Sequence, residues 1–271
     1  MADALFTRTD DAFLPSELSG GPWSPEHLHG GAPLGLLAAE VERHVDNDQL
    51  RLARLTVDLL RPVPKAPLSV VVDVIRPGKR LQVLQATVEA EGQVLTHATA
   101  LFLERVATEL PPFARFDSDT FSPRPAGEPR TLMDLAAARR RSGPTPPPGL
   151  HSTVEVLPVD GMEGRGAGRV WMRLPVPVIA GEPVSPLVLA ATLSDFGNGV
   201  AQLRLAPNVG CINTDVSLYL HREPVGDWIG LDARSRMQDN GNGLVETTLH
   251  DDRGPIGSVQ QAILAMPVYR S

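Results

Sequence analysis

The spacing of apolar and polar positions divides the chain into two similar arrays. Residues 1–28 hold no sustained period and are punctuated by Gly20, Gly21, Pro22 and Pro25. In "GGAPLGLLAAEVERHV" the apolar positions Leu34, Leu37, Ala38, Val41 and Val45 recur every three or four residues, and Glu40, Glu42, Arg43 and His44 fill much of the remainder. That period predicts a helix. Four strand-like runs follow, at 51–61, 68–76, 79–91 and 93–105. "RPGK" at 76–79 and "AEGQ" at 90–93 predict tight turns between them.

Residues 107–150 interrupt the pattern with Pro, Arg and Ser, including "PTPPPG", which is linker composition. Within them "TLMDLAAARRR" predicts a short helix. Thr131 is its N-cap, Asp134 stands at N3, and the arginines lie at the negative C-terminal end. From 151 the first array returns. Strand-like pieces at 151–158 and 168–176 precede "SPLVLAATLSDFGNGVAQLRL", a helix apolar on nearly all faces and therefore buried. Strand-like runs at 211–222, 227–237, 243–251 and 255–266 complete it, with turns at "QDNGNG" and "DDRG". The chain reads as an internal duplication: a unit over 1–106, a connector over 107–150 and a second unit over 151–271. One long apolar helix plus a meander of long strands packs when the sheet curls around the helix, an α+β architecture.

Composition narrows the functions. A hydrophobic share of 42% and a charged share of 21% fit a soluble globular protein, and the formal net charge of −7 gives no electrostatic support for binding nucleic acid. The single cysteine, Cys211, excludes a disulfide framework and a cysteine-based zinc site. The N-terminal stretch is acidic and lacks the apolar core of a secretory signal, and "SPLVLAATLS" is too short to span a bilayer. A cytoplasmic protein without a membrane partner is the expectation.

Among polar residues, Asp195 stands out because it interrupts the most apolar helix. An ionised carboxylate there costs several kcal/mol unless it is hydrogen-bonded or faces a wet cavity. In "IGSVQQAILAM" one of Gln260 and Gln261 must point inward, but both faces are mixed and alternation alone does not choose. Gly30 and Gly31, in "HLHGG", leave backbone N–H groups free at a helix start, where negative charge is favoured. His27 and His29 lack a third ligand at metal-binding spacing, so no metal is expected. His221–Arg222 ends a strand, where Arg222 either pairs with a carboxylate or meets a phosphate. Arg76, Lys79, Arg80 and the arginines at 139–141 present the same choice between a solvated face and a phosphate contact. No G-x-S-x-G elbow is present.

The order of these motifs resembles the type II acyl-CoA thioesterase family, in which two hotdog folds stand in tandem. The first half carries the Leu-Arg-Pro run, the V-x-x-x-R-x-G turn of "VDVIRPG" and an A-x-x-x-F strand in "ATALF". The second carries the helix Asp, the Asp215…His221–Arg222 strand and the Val259–Gln260 pair. The resemblance implies hydrolysis of acyl-CoA by a water that Asp195 activates and that Gln260 orients, with Asn213 standing where the family has Thr. Thr214 is the neighbouring hydroxyl, and a bulge at the strand start would bring it into the site. The first half has only Leu52 and apolar helix residues at the matching positions. A thioester oxyanion would rest on Gly30 and Gly31 N–H groups. Coenzyme A enters as part of the substrate, with no other cofactor. Self-association through open sheet edges is expected. Two other readings stand beside hydrolysis. Asn213 in place of Thr favours a non-hydrolytic acyl-thioester binding protein. A hotdog hydratase or dehydratase would carry an Asp-x-Asn-Pro-x-x-His-like run, which is missing here.

Overall fold

The computed structural model describes residues 4–116, 121–139, 146–206 and 209–267. The first predicted helix forms as α1, Gly31–Arg43, with Leu34, Leu37, Ala38 and Val41 fully buried. The four strands that follow are β3 (Leu50–Leu59), β4 (Ser69–Arg76), β5 (Leu81–Ala90) and β6 (Gln93–Glu104). Before them lies a feature absent from the sequence pattern, the hairpin of β1 (Phe6–Arg8) and β2 (Phe13–Pro15). Strands of three residues are too short for alternation to register. Arg8 pins this hairpin by pairing with Glu40 at 2.6 Å and Glu182 at 2.9 Å.

In the connector, α2 (Leu132–Arg139) starts as its capping pair predicts: Asp134 N–H donates to Thr131 Oγ1 and Thr131 N–H to Asp134 Oδ2, both at 3.0 Å. Arg140 and Arg141 lie outside the described residues. Where a strand was expected at 151, a single 3-10 turn, Leu150–Ser152, turns His151 inward. The strands β7 (Glu155–Gly161) and β8 (Ala167–Arg173) follow.

The apolar helix of the second half is broken. It forms α3, Pro186–Ser194, and a single turn α4, Gly197–Val200, with Asp195 and Phe196 between. Thr192 and Ser194 hydroxyls take the carbonyls of Val188 and Ala191, each at 2.7 Å, and Gly197 and Gly199 are poor helix formers. Asp195 therefore caps a helix end instead of sitting within a helix. The next predicted strand is also broken, into β9 (Val209–Asn213) and β10 (Asp215–Leu220), before β11 (Ile229–Met237), β12 (Asn242–Asp251) and β13 (Gly254–Pro267).

Among the described residues one continuous antiparallel sheet runs in the order β4-β5-β6-β3-β10-β13-β12-β11-β8-β7, with β9 also on β13. Each half curls its strands around its own helix, the α+β arrangement expected. The halves join where β3 pairs with β10. Thr56 faces Ser217 there, and the two stand 217 − 56 = 161 positions apart. The same offset relates Leu52 to Asn213 and Ala100 to Gln261, so a pseudo-two-fold axis passes through the Thr56–Ser217 pair. The helices α1 and α3 pack so closely that Gly35 has no room for a Cβ against Thr192 Oγ1. Among the described residues no helix is long and apolar enough to cross a membrane.

Arg222 belongs to this framework. Its guanidinium grips Asp251 with two bonds of 2.5 and 2.6 Å, and it also donates to the carbonyls of Gly254 and Pro255. The Asp251 side chain is fully buried and further accepts the N–H groups of Val225 and Arg253 at 2.8 Å. Burial alone would push this carboxyl up, but the bonds from Arg222, Arg253 and Val225 outweigh it and hold it below the usual Asp range. Such a group contributes stability above the unfolded Asp pKa, which is lost as pH falls through the folded value. Replacing Arg222 with Ala strands a buried charge and should cost about 3–5 kcal/mol in denaturant unfolding at neutral pH. Asp251→Asn should flatten the acid limb of the stability curve below about pH 4.

Candidate active site

Asp195, at the end of α3, points its side chain at the start of α1 and keeps only 5% exposure there. Two groups hold its carboxylate. Asn213, the last residue of β9, donates through Nδ2 to Oδ1. His29 Nδ1 lies 3.0 Å from Oδ2. Asn198, from α4, in turn donates to Asn213 Oδ1 at 3.3 Å and to the Cys211 carbonyl at 3.0 Å, which fixes the Asn213 amide. Gly30 is required here, since a Cβ on it would stand 2.8 Å from Asp195 Oδ2. Gly31 directs its N–H to His29 Nδ1 at 3.1 Å. The residues expected at the helix start and at the helix acid thus come together.

Gln260 does not join them. It lies exposed on the outer face of β13, lining a surface groove with Arg234, Arg236 and Glu246. Gln261 points inward instead, fully buried, with Nε2 3.4 Å from the Asp195 carbonyl and Oε1 without a partner. The cause is a register shift. Gly257 pairs with Leu249 and Pro255 with His250, so Ile256 is an extra residue. It flips the alternation, and Ile256 and Val259 both face inward. Gly197 has no Cβ because one would stand 2.6 Å from both Gln261 Oε1 and Thr247 Oγ1.

Thr214 is excluded as well. A bulge does form at the strand start: Asn213 pairs with Ile263 while Ser217 pairs with Gln260, leaving one extra residue between. It turns Thr214 outward and exposed, with Oγ1 on the Ala262 carbonyl at 3.3 Å, while Asp215 Oδ1 accepts the Ala262 N–H at 2.7 Å. Asn213 keeps the inward place. The phosphate candidates lie apart. Arg222 is committed to Asp251. Arg76, Lys79 and Arg80 are exposed around the β4–β5 turn, where Asn47 donates to the Lys79 carbonyl and Arg80 pairs with Glu104. That turn is beside the C-terminal end of α1, a helix length of about 20 Å from Gly30.

Protein-family comparison matches residues 19–103 to an acyl-CoA thioesterase N-terminal domain and residues 109–265 to an acyl-CoA thioesterase C-terminal domain. The chain belongs to the acyl-CoA thioesterase family. Among solved structures, the acyl-CoA thioesterase II TesB2 of Mycobacterium marinum is 20% identical, with TM-score 0.66 over 90% of this chain and 92% of that one. A hot dog fold protein from Alicyclobacillus acidocaldarius is 19% identical, with TM-score 0.71 over 98% and 96%. The tesB protein of Mycobacterium avium subspecies paratuberculosis is 17% identical, with TM-score 0.65 over 97% and 96%. A comparison with curated proteins gives no match.

Two residues of this thioesterase escaped the sequence reading. His29 was weighed only as a metal ligand, although it stands one residue before the glycines. His151 lay at the start of a run read as a strand, 151–158. The rings of His29 and Phe196 stack at 4.4 Å, and His151 lies 6.4 Å from His29 in a parallel arrangement. The first half also differs from the expectation of apolar residues alone. "PLGLLAA" from Pro33 matches "PLVLAAT" from Pro186, which sets Glu42 opposite Asp195. Glu42 accepts the Ser185 hydroxyl at the start of α3, as Asp195 meets the start of α1. Burial pushes the Glu42 carboxyl up, against the Ser185 bond.

His151 is 6% exposed, and neither ring nitrogen finds a hydrogen-bond partner of good geometry. Burial, reinforced by His29 and opposed by the Pro147 carbonyl, pushes it down to about 4. It is neutral at neutral pH. Between about pH 6.5 and about 4 the unfolded chain binds a proton that the folded chain refuses, so stability falls as pH falls through that window. Unfolding free energies measured from pH 7 to pH 4.5 should fall less steeply in His151→Leu.

Proposed function

We propose that this thioesterase hydrolyses acyl-CoA with a water that Asp195 activates. The observation that carries the reading is the buried Asp195 carboxylate, held on both oxygens at the N-terminal end of α1. A carboxylate this enclosed is retained where it does chemistry or completes a bonded network. Asn213 is fully engaged, with Nδ2 on Asp195 and Oδ1 on Asn198, so its role is to orient the acid. Gln261 replaces Gln260 as the residue that positions the water, because its Oε1 is buried and free to accept a hydrogen bond from it.

The proton passes from water to Asp195 as the water oxygen attacks the thioester carbonyl carbon. The developing oxyanion rests on the N–H groups at Gly30 and Gly31, favoured by the positive end of α1. Collapse breaks the carbon–sulfur bond, the electron pair leaves on sulfur, and the thiolate of coenzyme A takes up the proton. Nothing covalent forms with the protein; the hydroxyl of Ser194, next to Asp195 in the chain, is buried and donates to the Ala191 carbonyl. A second reading, acyl-thioester binding without hydrolysis, is favoured by one observation: Asn213 adds a donor to Asp195 where a hydroxyl would leave that oxygen freer.

Thiol release from a panel of acyl-CoAs decides between them. Asp195→Asn and Gln261→Leu should each lower kcat, the former by roughly 10²–10⁴-fold. Gln260→Leu and Thr214→Val should leave turnover unchanged. A native protein that binds acyl-CoA saturably yet turns over none of any chain length is a binder.

A further inference from the structure

We infer that His29 is a positioning residue of the reaction, whose Nδ1 proton both seats Asp195 and releases Gly31 N–H to the substrate; the inference rests on the role given to Asp195 above. His29 Nδ1 has two neighbours that make opposite demands. Asp195 Oδ2, 3.0 Å away, needs a donor when the carboxylate is ionised. Gly31 N–H, 3.1 Å away, needs an acceptor. A single ring nitrogen serves one or the other. With the proton on Nδ1, the imidazole donates to Asp195, and Gly31 N–H loses its acceptor. Its donor capacity at the positive end of α1 is then unspent, and negative charge is favoured there. With the proton on Nε2, Nδ1 accepts Gly31 N–H, the oxyanion donor is capped, and a lone pair faces the Asp195 carboxylate. The two tautomers differ only by a proton moved between ring nitrogens, so the choice costs no change in charge.

The surroundings favour the first arrangement. The Asp195 carboxylate stands in a buried place with one donor, Asn213, on Oδ1 and with His29 Nδ1 3.0 Å from Oδ2. The ring is held beside the carboxylate by stacking on Phe196 at 4.4 Å. The titratable groups facing the ring are Asp195, from the end of α3, and His151, from the turn before β7. His151 is neutral at neutral pH and so places no competing charge beside it. His29 thereby couples two parts that a thioesterase needs together. The base is oriented only in the state in which the oxyanion donor is uncapped.

Three variants and one spectrum test this on the full chain. His29→Phe keeps the stack on Phe196 but supplies no Nδ1 donor. It should lower kcat for acyl-CoA by about 10–100-fold, the usual effect of losing a group that orients a reacting residue, with KM little changed. His29→Asn, whose amide N–H falls near the place of Nδ1, should recover most of that loss. Asp195→Asn serves as the reference. In ¹⁵N-histidine spectra at neutral pH, the signal that disappears in His29→Asn should carry its proton on Nδ1. Wild-type kcat in His29→Phe, or a resting proton on Nε2, overturns the inference while leaving the base in place if Asp195→Asn is inactive. Full activity in Asp195→Asn removes the underlying reading instead.

Discussion

A carboxylate enclosed between two helices has to be kept charged and still, and the rest of the site follows from that constraint. Moving such an ion out of water costs several kcal/mol after relaxation, and a single hydrogen bond does not offset it. Here the start of α1, Asn213 and His29 converge on Asp195. Convergence demands close approach, and close approach explains the glycines. Gly30 and Gly31 admit the Asp195 and Thr192 end of α3, and Gly35 admits the Thr192 hydroxyl. Each is a place where any larger residue would part the helices or move the acid. The acid closes α3 where that helix reaches the start of α1, and the chain turns into α4 just beyond it.

Much of this was legible in the residues, and the rest was not for identifiable reasons. The helices, the meanders and the duplication follow from period and from turn residues, which act locally. Asp195 was visible because a charge in an apolar helix conflicts with burial. Gln261 was hidden by Ile256. One extra residue opposite the Leu249–His250 step reverses which side chains face the core, and alternation read along one strand does not see its partner. Thr214 and Asn213 were separated by a second bulge, which turns Thr214 away from the face that Val216 and Leu218 share and gives Asn213 the inward place. His29 and His151 were unreadable because their meaning lies in distances between segments far apart in the chain.

The duplication preserves geometry more faithfully than chemistry. The bulge that sets Asn213 inward has its counterpart in β3, where the register against β6 shifts between Leu52 and Arg54. The two halves therefore bend their strands at the same place, one residue past Leu52 and one past Asn213. What differs is the side chain delivered there. Leu52 and Ala100 stand where Asn213 and Gln261 stand, and they contribute only apolar surface to the core. Glu42 remains opposite Asp195, with a serine hydroxyl for company.

That surviving acid does not make a second site, and the reason is electrostatic. The site built around Asp195 draws His29, Gly30 and Gly31 from one half and Asp195, Asn198, Asn213 and Gln261 from the other, so neither half suffices alone. Its pseudo-symmetric partner would take Glu42 from the first half and the approach to α3 from the second. At that approach stand Glu182, paired with Arg8, and Ser185, whose hydroxyl both donates to Glu42 and accepts the Val188 N–H. An oxyanion formed there would meet the Glu42 carboxylate, the Ser185 hydroxyl is already spent on that carboxylate, and with Ala100 in the place of Gln261 no amide would hold a water. Like charges at close range raise the energy of a developing anion by the same Coulomb law that lets α1 lower it at Gly31. The two ends of the helix pair have thus divided: one keeps its N-terminus open to negative charge, and the other has filled it.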